Sequence, residues 1–335
     1  MSSQSKDHVY SVEHLQQSRR DFFRLTGGAL LITAGAAACT KTAAAPGGAL
    51  AEPLPRNTGG GLPDIGEVTT SSIDGLKIRL ARGGRSDGIP ILLTSPWPES
   101  IYAYCGIVPA IKSLGPVILV DIPGYGQSES RPDVMSPEAM GDFVLKLAHH
   151  LGIDRMHAVG PDVGTPALLF AAAKKPSLFE SIVGGAGATS VELAAGALKG
   201  LIASPPGYFA TAEGGDIGVD FVTQSAAIKL PKAVLDDYRL ASAGRRFEDA
   251  TQFVRAFPRD LPRLQALLPG INTPVLVLSG KSDTVVPPSN GQLLADHLPH
   301  CRHTILDGGH LIWEDAAEIY SARVVEWIRA GYRTA

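Results

Sequence analysis

The segment Gly160-Pro161-Asp162-Val163-Gly164 sets a carboxylate between two glycines, where a short apolar run, Met156 to Gly160, gives way to a helical stretch, Ala167 to Lys174. The pattern glycine, any residue, nucleophile, any residue, glycine forces a sharp strand-to-helix turn, and its glycines admit close packing of neighbouring chain. Pro161 restricts Gly160 to extended geometry, which the end of a strand requires. A serine at the centre would attack a carbonyl carbon. An ionised aspartate can instead displace a leaving group from an sp³ carbon and form an alkyl ester. Two further candidates follow strands in the order acid, then base. Asp283 comes a short turn after Leu276-Val277-Leu278-Ser279-Gly280, and His310 ends Asp307-Gly308-Gly309-His310. The serine version of the pattern, Gly84-Arg85-Ser86-Asp87-Gly88, lies in a polar turn between two strands and is read as chance.

The elements that must position these residues alternate. Val117-Ile118-Leu119-Val120, Met156 to Gly160, Ser181 to Gly184, Val275 to Leu278 and His303 to Leu306 are short, continuous and β-branched, as strands covered on both faces must be. Leu76 to Ala81 and Ile89 to Thr94, joined by a polar turn at Gly83 to Gly88, read as a hairpin that opens the sheet. Ser136-Pro137-Glu138 supplies a capping hydroxyl and a first-turn proline for a helix reaching Leu151. Ala167 to Lys174, Ser289 to Leu298 and Asp315 to Ile328 read as helices too. Strand and helix in alternation predict an α/β fold, a mostly parallel sheet flanked by helices. Residues 188–263 interrupt it with Gly and Pro clusters and helical pieces at Lys232 to Leu240 and Phe247 to Phe257. An insertion of this kind is expected to form a helical lid over the strand ends, between core segments 67–187 and 264–335.

Four clusters in this order resemble the α/β-hydrolase family over Val68 to Gly331: Thr94-Ser95-Pro96-Trp97-Pro98-Glu99, Asp121-Ile122-Pro123-Gly124-Tyr125-Gly126-Gln127-Ser128, the Asp162 elbow, and the pair Asp283 and His310. Within that family an elbow aspartate resembles the branch of epoxide hydrolases and haloalkane dehalogenases. The resemblance implies that His310, oriented by Asp283, activates water against the Asp162 ester. It also implies that backbone N–H groups of Trp97 and Val163 hold the oxyanion. Ser95-Pro96 stands where these hydrolases often have His-Gly. Val163 stands where the Asp-nucleophile enzymes commonly have Trp, whose indole N–H holds a departing halide. Without that donor, epoxide opening is the leading expectation, with Tyr208 and Tyr238 of the insertion as the acids that protonate the alkoxide. The alternatives are a haloalkane dehalogenase and a non-catalytic binding protein of the same fold. Leu198, Leu201, Ile202, Phe209, Phe221 and Val222 imply a small apolar organic substrate.

Other signals are weaker. Gly280-Lys281-Ser282 ends like a phosphate-binding loop, but Val275 occupies the place of the required glycine. His149-His150 and the histidines from His297 to His303 lack metal-ligand spacing, so no metal or cofactor is expected. Trp313 and Trp327 read as core contacts of the last helix.

The chain has 335 residues, 44% apolar and 19% charged, with 30 Lys and Arg against 33 Asp and Glu, for a net charge of −3. That balance excludes the basic footprint of a nucleic-acid binder. Ser18-Arg19-Arg20-Asp21-Phe22-Phe23-Arg24 before the weakly apolar stretch Leu25 to Cys39 resembles a twin-arginine export signal over residues 1–39, so a periplasmic or extracellular location is expected. Ala36-Ala37-Ala38 before Cys39 fits an ordinary cleavage site or a degenerate lipoprotein box, so a secreted product and one lipid-anchored at Cys39 both fit. Residues 40–66, rich in Pro and Gly, read as a flexible linker. Cys105 and Cys301 are expected to be half-buried free thiols rather than a bridge.

Overall fold

Alternation decides which side of each strand faces which helices. In the computed structural model, which describes residues 61–335, eight strands form one sheet in the order β1-β2-β4-β3-β5-β6-β7-β8. They are β1 Glu67–Ile73, β2 Leu76–Gly84, β3 Ile91–Thr94, β4 Pro116–Val120, β5 Met156–Val159, β6 Phe179–Gly184, β7 Val275–Gly280 and β8 Cys301–Leu306. β1 and β2 run antiparallel, as do β2 and β4, and every pairing from β4 to β8 is parallel. Leu92, Ile118, Ala158, Ile182, Val275 and Val277 enter one buried cluster. Ile91, Leu93, Val117, Leu119, Val159, Leu276 and Leu278 enter the other. A period of two with apolar residues on both sides is what a sheet covered on both faces demands.

The helices are α1 Val108–Ile111, α2 Pro137–His150, α3 Gly164–Lys174, α4 Gly196–Ala203, α5 Gly214–Ser225, α6 Lys232–Ser242, α7 Arg246–Arg255, α8 Phe257–Leu267, α9 Ser289–His297, α10 Ile312–Asp315 and α11 Ala317–Arg329. The Ser136 hydroxyl accepts the Ala139 N–H, the cap that the sequence places there. α2, α3 and α8 cover the first face through Phe143, Leu168 and Leu261. α1 and α11 cover the second through Ile111, Val324 and Trp327.

Three expectations are corrected. The hairpin is β1–β2, closed by Asp74-Gly75 with φ of 53° and 77°, a turn that matches the right-handed strand twist. β3 instead lies parallel between β4 and β5. The polar edge strand β1, Glu-Val-Thr-Thr-Ser-Ser-Ile, carries too little apolar patterning to be visible in the sequence. Ile65, expected within the linker, is buried in the second cluster. The insertion's helical piece expected at Phe247 to Phe257 is helix Arg246–Arg255, and a second helix starts at Phe257 with Pro258 in its first turn and continues past Arg263 to Leu267. Cys105 and Cys301 are free and partly buried. The expected export signal, Cys39 and residues 40–60 of the expected linker lie outside the described residues.

Helix α6 of the insertion is tied to the sheet by buried charge. Arg79 on β2 donates through Nε to Asp121 at 2.5 Å and through both terminal nitrogens to Asp237 on α6, at 2.7 and 2.9 Å. Ser100 Oγ and Gln127 Nε2 each add a bond to Asp237 at 2.6 Å, and the Ile101 and Gln127 N–H groups satisfy Asp121.

Candidate active site

The turn after β5 holds Asp162 at φ 53°, in the left-handed region that a non-glycine residue enters only when its surroundings impose it. Those surroundings are explicit. The Asp162 N–H donates to Gly185 O at 3.0 Å, and Thr165 Oγ1 donates to Gly160 O at 2.8 Å while accepting the Gly185 N–H. A Cβ at Gly160 or Gly164 would lie 2.6 or 2.3 Å from Thr94 Oγ1, so the two glycines are needed where β3 passes the turn.

One oxygen of the Asp162 carboxylate, Oδ2, accepts the Trp97 N–H at 2.8 Å. The Val163 N–H also favours the charged form of this carboxylate. The other, Oδ1, lies 3.9 Å from His310 Nε2. His310 Nδ1 is 2.8 Å from Asp283 Oδ2. Asp283 is itself fixed, since its Oδ1 accepts the N–H groups of Val285 and Val286, both at 2.8 Å. A proton on Nδ1 that bonds Asp283 leaves the Nε2 lone pair facing Asp162. Burial raises the Asp162 pKa above the ordinary carboxylate value, against the pull of His310 and the two N–H donors. Burial also opposes charge on His310, but the Asp283 carboxylate outweighs it and the imidazole pKa lies above its ordinary value.

The structure therefore brings Asp162, Asp283, His310, Trp97 and Val163 together at the carboxyl ends of the strands. A largely enclosed cavity opens on them, lined by Leu198, Leu201, Phe221, Phe247, Val254 and Phe257 of the insertion and by Val285 and Val286 after β7. Its walls are apolar. Trp97 also lines it, and the buried indole Nε1 of that residue has no partner among the described residues.

The two tyrosines are not brought to this cavity. Tyr208 is 37% exposed and Tyr238 is fully buried, its hydroxyl donating to Glu314 Oε1 at 2.6 Å; neither lines the cavity. Sequence position within the insertion could not tell which face of its helix each tyrosine takes. Ile202, Phe209 and Val222 pack in the core rather than lining the cavity.

Sequence reasoning missed three residues behind the site. Trp313, expected as a plain core contact, stands edge-on to His310 with ring centroids 5.7 Å apart, and its indole N–H reaches both Glu99 oxygens at 3.1 and 3.3 Å. Glu99 is fully buried, and Glu314 lies beside it. The available signal was a lone acid in each of two apolar stretches, Trp97 to Ile101 and Leu311 to Trp313-Glu314.

Comparison with known proteins adds to this geometry. A family model described as alpha/beta hydrolase fold matches residues 89–317. The uncharacterized hydrolase YugF of Bacillus subtilis is 23% identical over 79% of this chain and 99% of its own length. The putative carbamate hydrolase RutD of a Caulobacter species is 27% identical over 78% of this chain and 98% of its own. Among solved structures, a loop variant of the haloalkane dehalogenase DbeA from Bradyrhizobium elkanii superposes with a TM-score of 0.69 at 23% identity, covering 80% of this chain and 97% of that one.

Proposed function

The chain belongs to the α/β-hydrolase family and is an enzyme, and from that premise we propose that it hydrolyses a small apolar substrate at an sp³ carbon through an alkyl ester on Asp162. The observation that carries this reading is the split carboxylate of Asp162. One oxygen is held by the Trp97 N–H, while the other lies 3.9 Å from His310 Nε2. In the first step Asp162 Oδ1 gives an electron pair to the substrate carbon, and the carbon's bond to the leaving group breaks with its electrons departing on that group. In the second, His310 Nε2 takes a proton from water as the water oxygen attacks the ester carbonyl carbon. The Trp97 N–H already at Oδ2 stabilises the oxyanion, with the Val163 N–H as its second donor. The tetrahedral intermediate collapses by breaking the bond from acyl carbon to alkoxy oxygen, and the alcohol takes the proton from His310. Asp283 holds the imidazole and its positive charge throughout.

The lining favours an alkyl halide over an epoxide. An epoxide's alkoxide needs a proton donor, and no tyrosine is among the lining residues. A halide needs an N–H, and Trp97 has one without a protein partner. The relatives' names differ in chemistry, so the preference rests on the lining alone. Export by the twin-arginine route is part of the same proposal; changing Arg19 and Arg20 to Lys should retain the protein in the cytoplasm.

His310→Gln tests the mechanism. Mixed with terminal alkyl halides and epoxides, this variant should accumulate the alkyl mass on the peptide containing Asp162, and Asp162→Asn should not. In heavy-oxygen water, single turnover of the unaltered enzyme should label the Asp162 carboxylate. Label found only in product would make Asp162 a general base and sink the alkyl-enzyme step. Halide release without diol formation supports the halide; the reverse restores the epoxide.

A further inference from the structure

Behind His310 two buried acids meet without a cation. Glu99 accepts only the Trp313 indole N–H, and Glu314 Oε1 accepts the Tyr238 hydroxyl. Both donors are neutral. Glu314 Oε2 is buried with no donor among the described residues. Yet the two acids are neighbours across Trp313, which bonds Glu99 and precedes Glu314 in the chain, and each acts on the other's protonation. Two carboxylates cannot bond one another, and an unpaired buried oxygen is costly. A proton between them satisfies the orphaned oxygen and removes half the buried charge.

We propose that Glu99 and Glu314 share one proton and serve as a positioning pair for His310, holding Trp313 against the imidazole while water attacks the ester. The inference rests on the alkyl-enzyme reading for its last clause only. Glu99 follows the oxyanion turn of Trp97, and Glu314 lies on α10, one turn past His310. The pair thus bridges the two loops that must stay in register during the second step. Tyr238 reaches the same pair from α6, so the insertion is held by it as well.

The titratable groups facing the pair are Tyr104 and Cys105 after Ser100, Asp162 at the elbow, Tyr238 on α6 and Asp315 on α10, with His310 beyond Trp313. None but His310 bears positive charge. Burial first, and then the neighbouring carboxyl, pushes Glu99 well above the ordinary range, while burial moves Glu314 up to about 7. The pair therefore holds its last proton well above the ordinary carboxylate range. When it leaves, two like charges face each other in a buried site, the contact through Trp313 loosens, and the added negative charge favours imidazolium, which cannot accept a proton from water.

Glutamine supplies the test, because its amide can accept from Trp313 and donate permanently to Glu314 Oε2. In the ligand-free full chain, the labelled His310 ring followed by NMR should show an alkaline inflection that Glu99→Gln and Glu314→Gln each abolish. Decay of the Asp162 ester should fall at alkaline pH in the unaltered enzyme. In Glu99→Gln it should stay flat and within about 3-fold of the neutral rate. Glu99→Leu, which offers Trp313 no acceptor, should slow decay at least about 10-fold at every pH. A His310 ring that titrates identically in the unaltered protein and both glutamine variants overturns the pair, whatever the ester does. An alkaline fall retained in Glu99→Gln also overturns it. If the ring responds but no ester ever forms, the pair's hold on His310 stands and the alkyl-enzyme reading falls.

Discussion

Two clusters of buried carboxylates meet the same two segments at neighbouring residues, and they are neutralised by opposite means. Ser100 and Asp237 belong to the cluster around Arg79, where Asp121 and Asp237 share a guanidinium. Their chain neighbours, Glu99 and Tyr238, belong to the cluster of Glu314 and Trp313, which holds no cation among the described residues. The first arrangement is fixed at any pH at which proteins fold, because an arginine does not lose its proton. The second depends on a proton that solution conditions can remove. A rigid tie and a titratable one thus dock the same helix of the insertion onto the same loop of the core.

The sharpest way to break this contrast is Arg79→Met. It leaves Asp121 and Asp237 buried without a countercharge, which costs about 3–5 kcal/mol for a buried pair deprived of one partner. Urea titration should read that loss, and a loss under about 1 kcal/mol would mean that the N–H and hydroxyl donors suffice. Ser100→Ala removes one bond to a charged acceptor and should cost about 1.5–3 kcal/mol. The smallest effect is expected at Glu99→Gln, where the slope against pH matters more than the size. Because the folded acids hold their protons above the ordinary value of 4.5, the folded state binds more protons than the unfolded one between that value and the folded pKa. Their contribution is fully present below about pH 4.5 and is lost as pH rises toward and past about 7. Glu99→Gln should flatten this part of the melting-temperature profile and match or exceed the unaltered protein at neutral pH. A slope unchanged by the substitution would assign it to other groups.

The Asp162 elbow and its partners were legible because their chemistry is written in local patterns: glycines that a tight turn requires, and strand ends just before Asp283 and His310. The parallel sheet was legible for the same reason, since residues such as Val117 to Val120 are apolar without alternation. What was hidden depended on direction. Tyr238 and Asp237 are adjacent on one helix, and only the packed structure shows that the tyrosine turns to Glu314 and away from the cavity. Glu99 and Glu314 are 215 positions apart and carry no shared pattern. Strand β1 escaped notice because its edge position lets Thr and Ser replace the apolar residues that mark a covered strand.

Trp97 has a consequence for how such an enzyme can change. Its main-chain N–H grips Asp162 Oδ2, a service that any residue but proline renders, while its ring forms part of the cavity wall. On the proposed mechanism, leaving-group preference and ester breakdown therefore sit on different atoms of one residue. A single base change there can alter what the cavity welcomes while the hydrolytic half of the reaction keeps its donor, so lineages can explore new substrates from this position without first dismantling the step that frees the product.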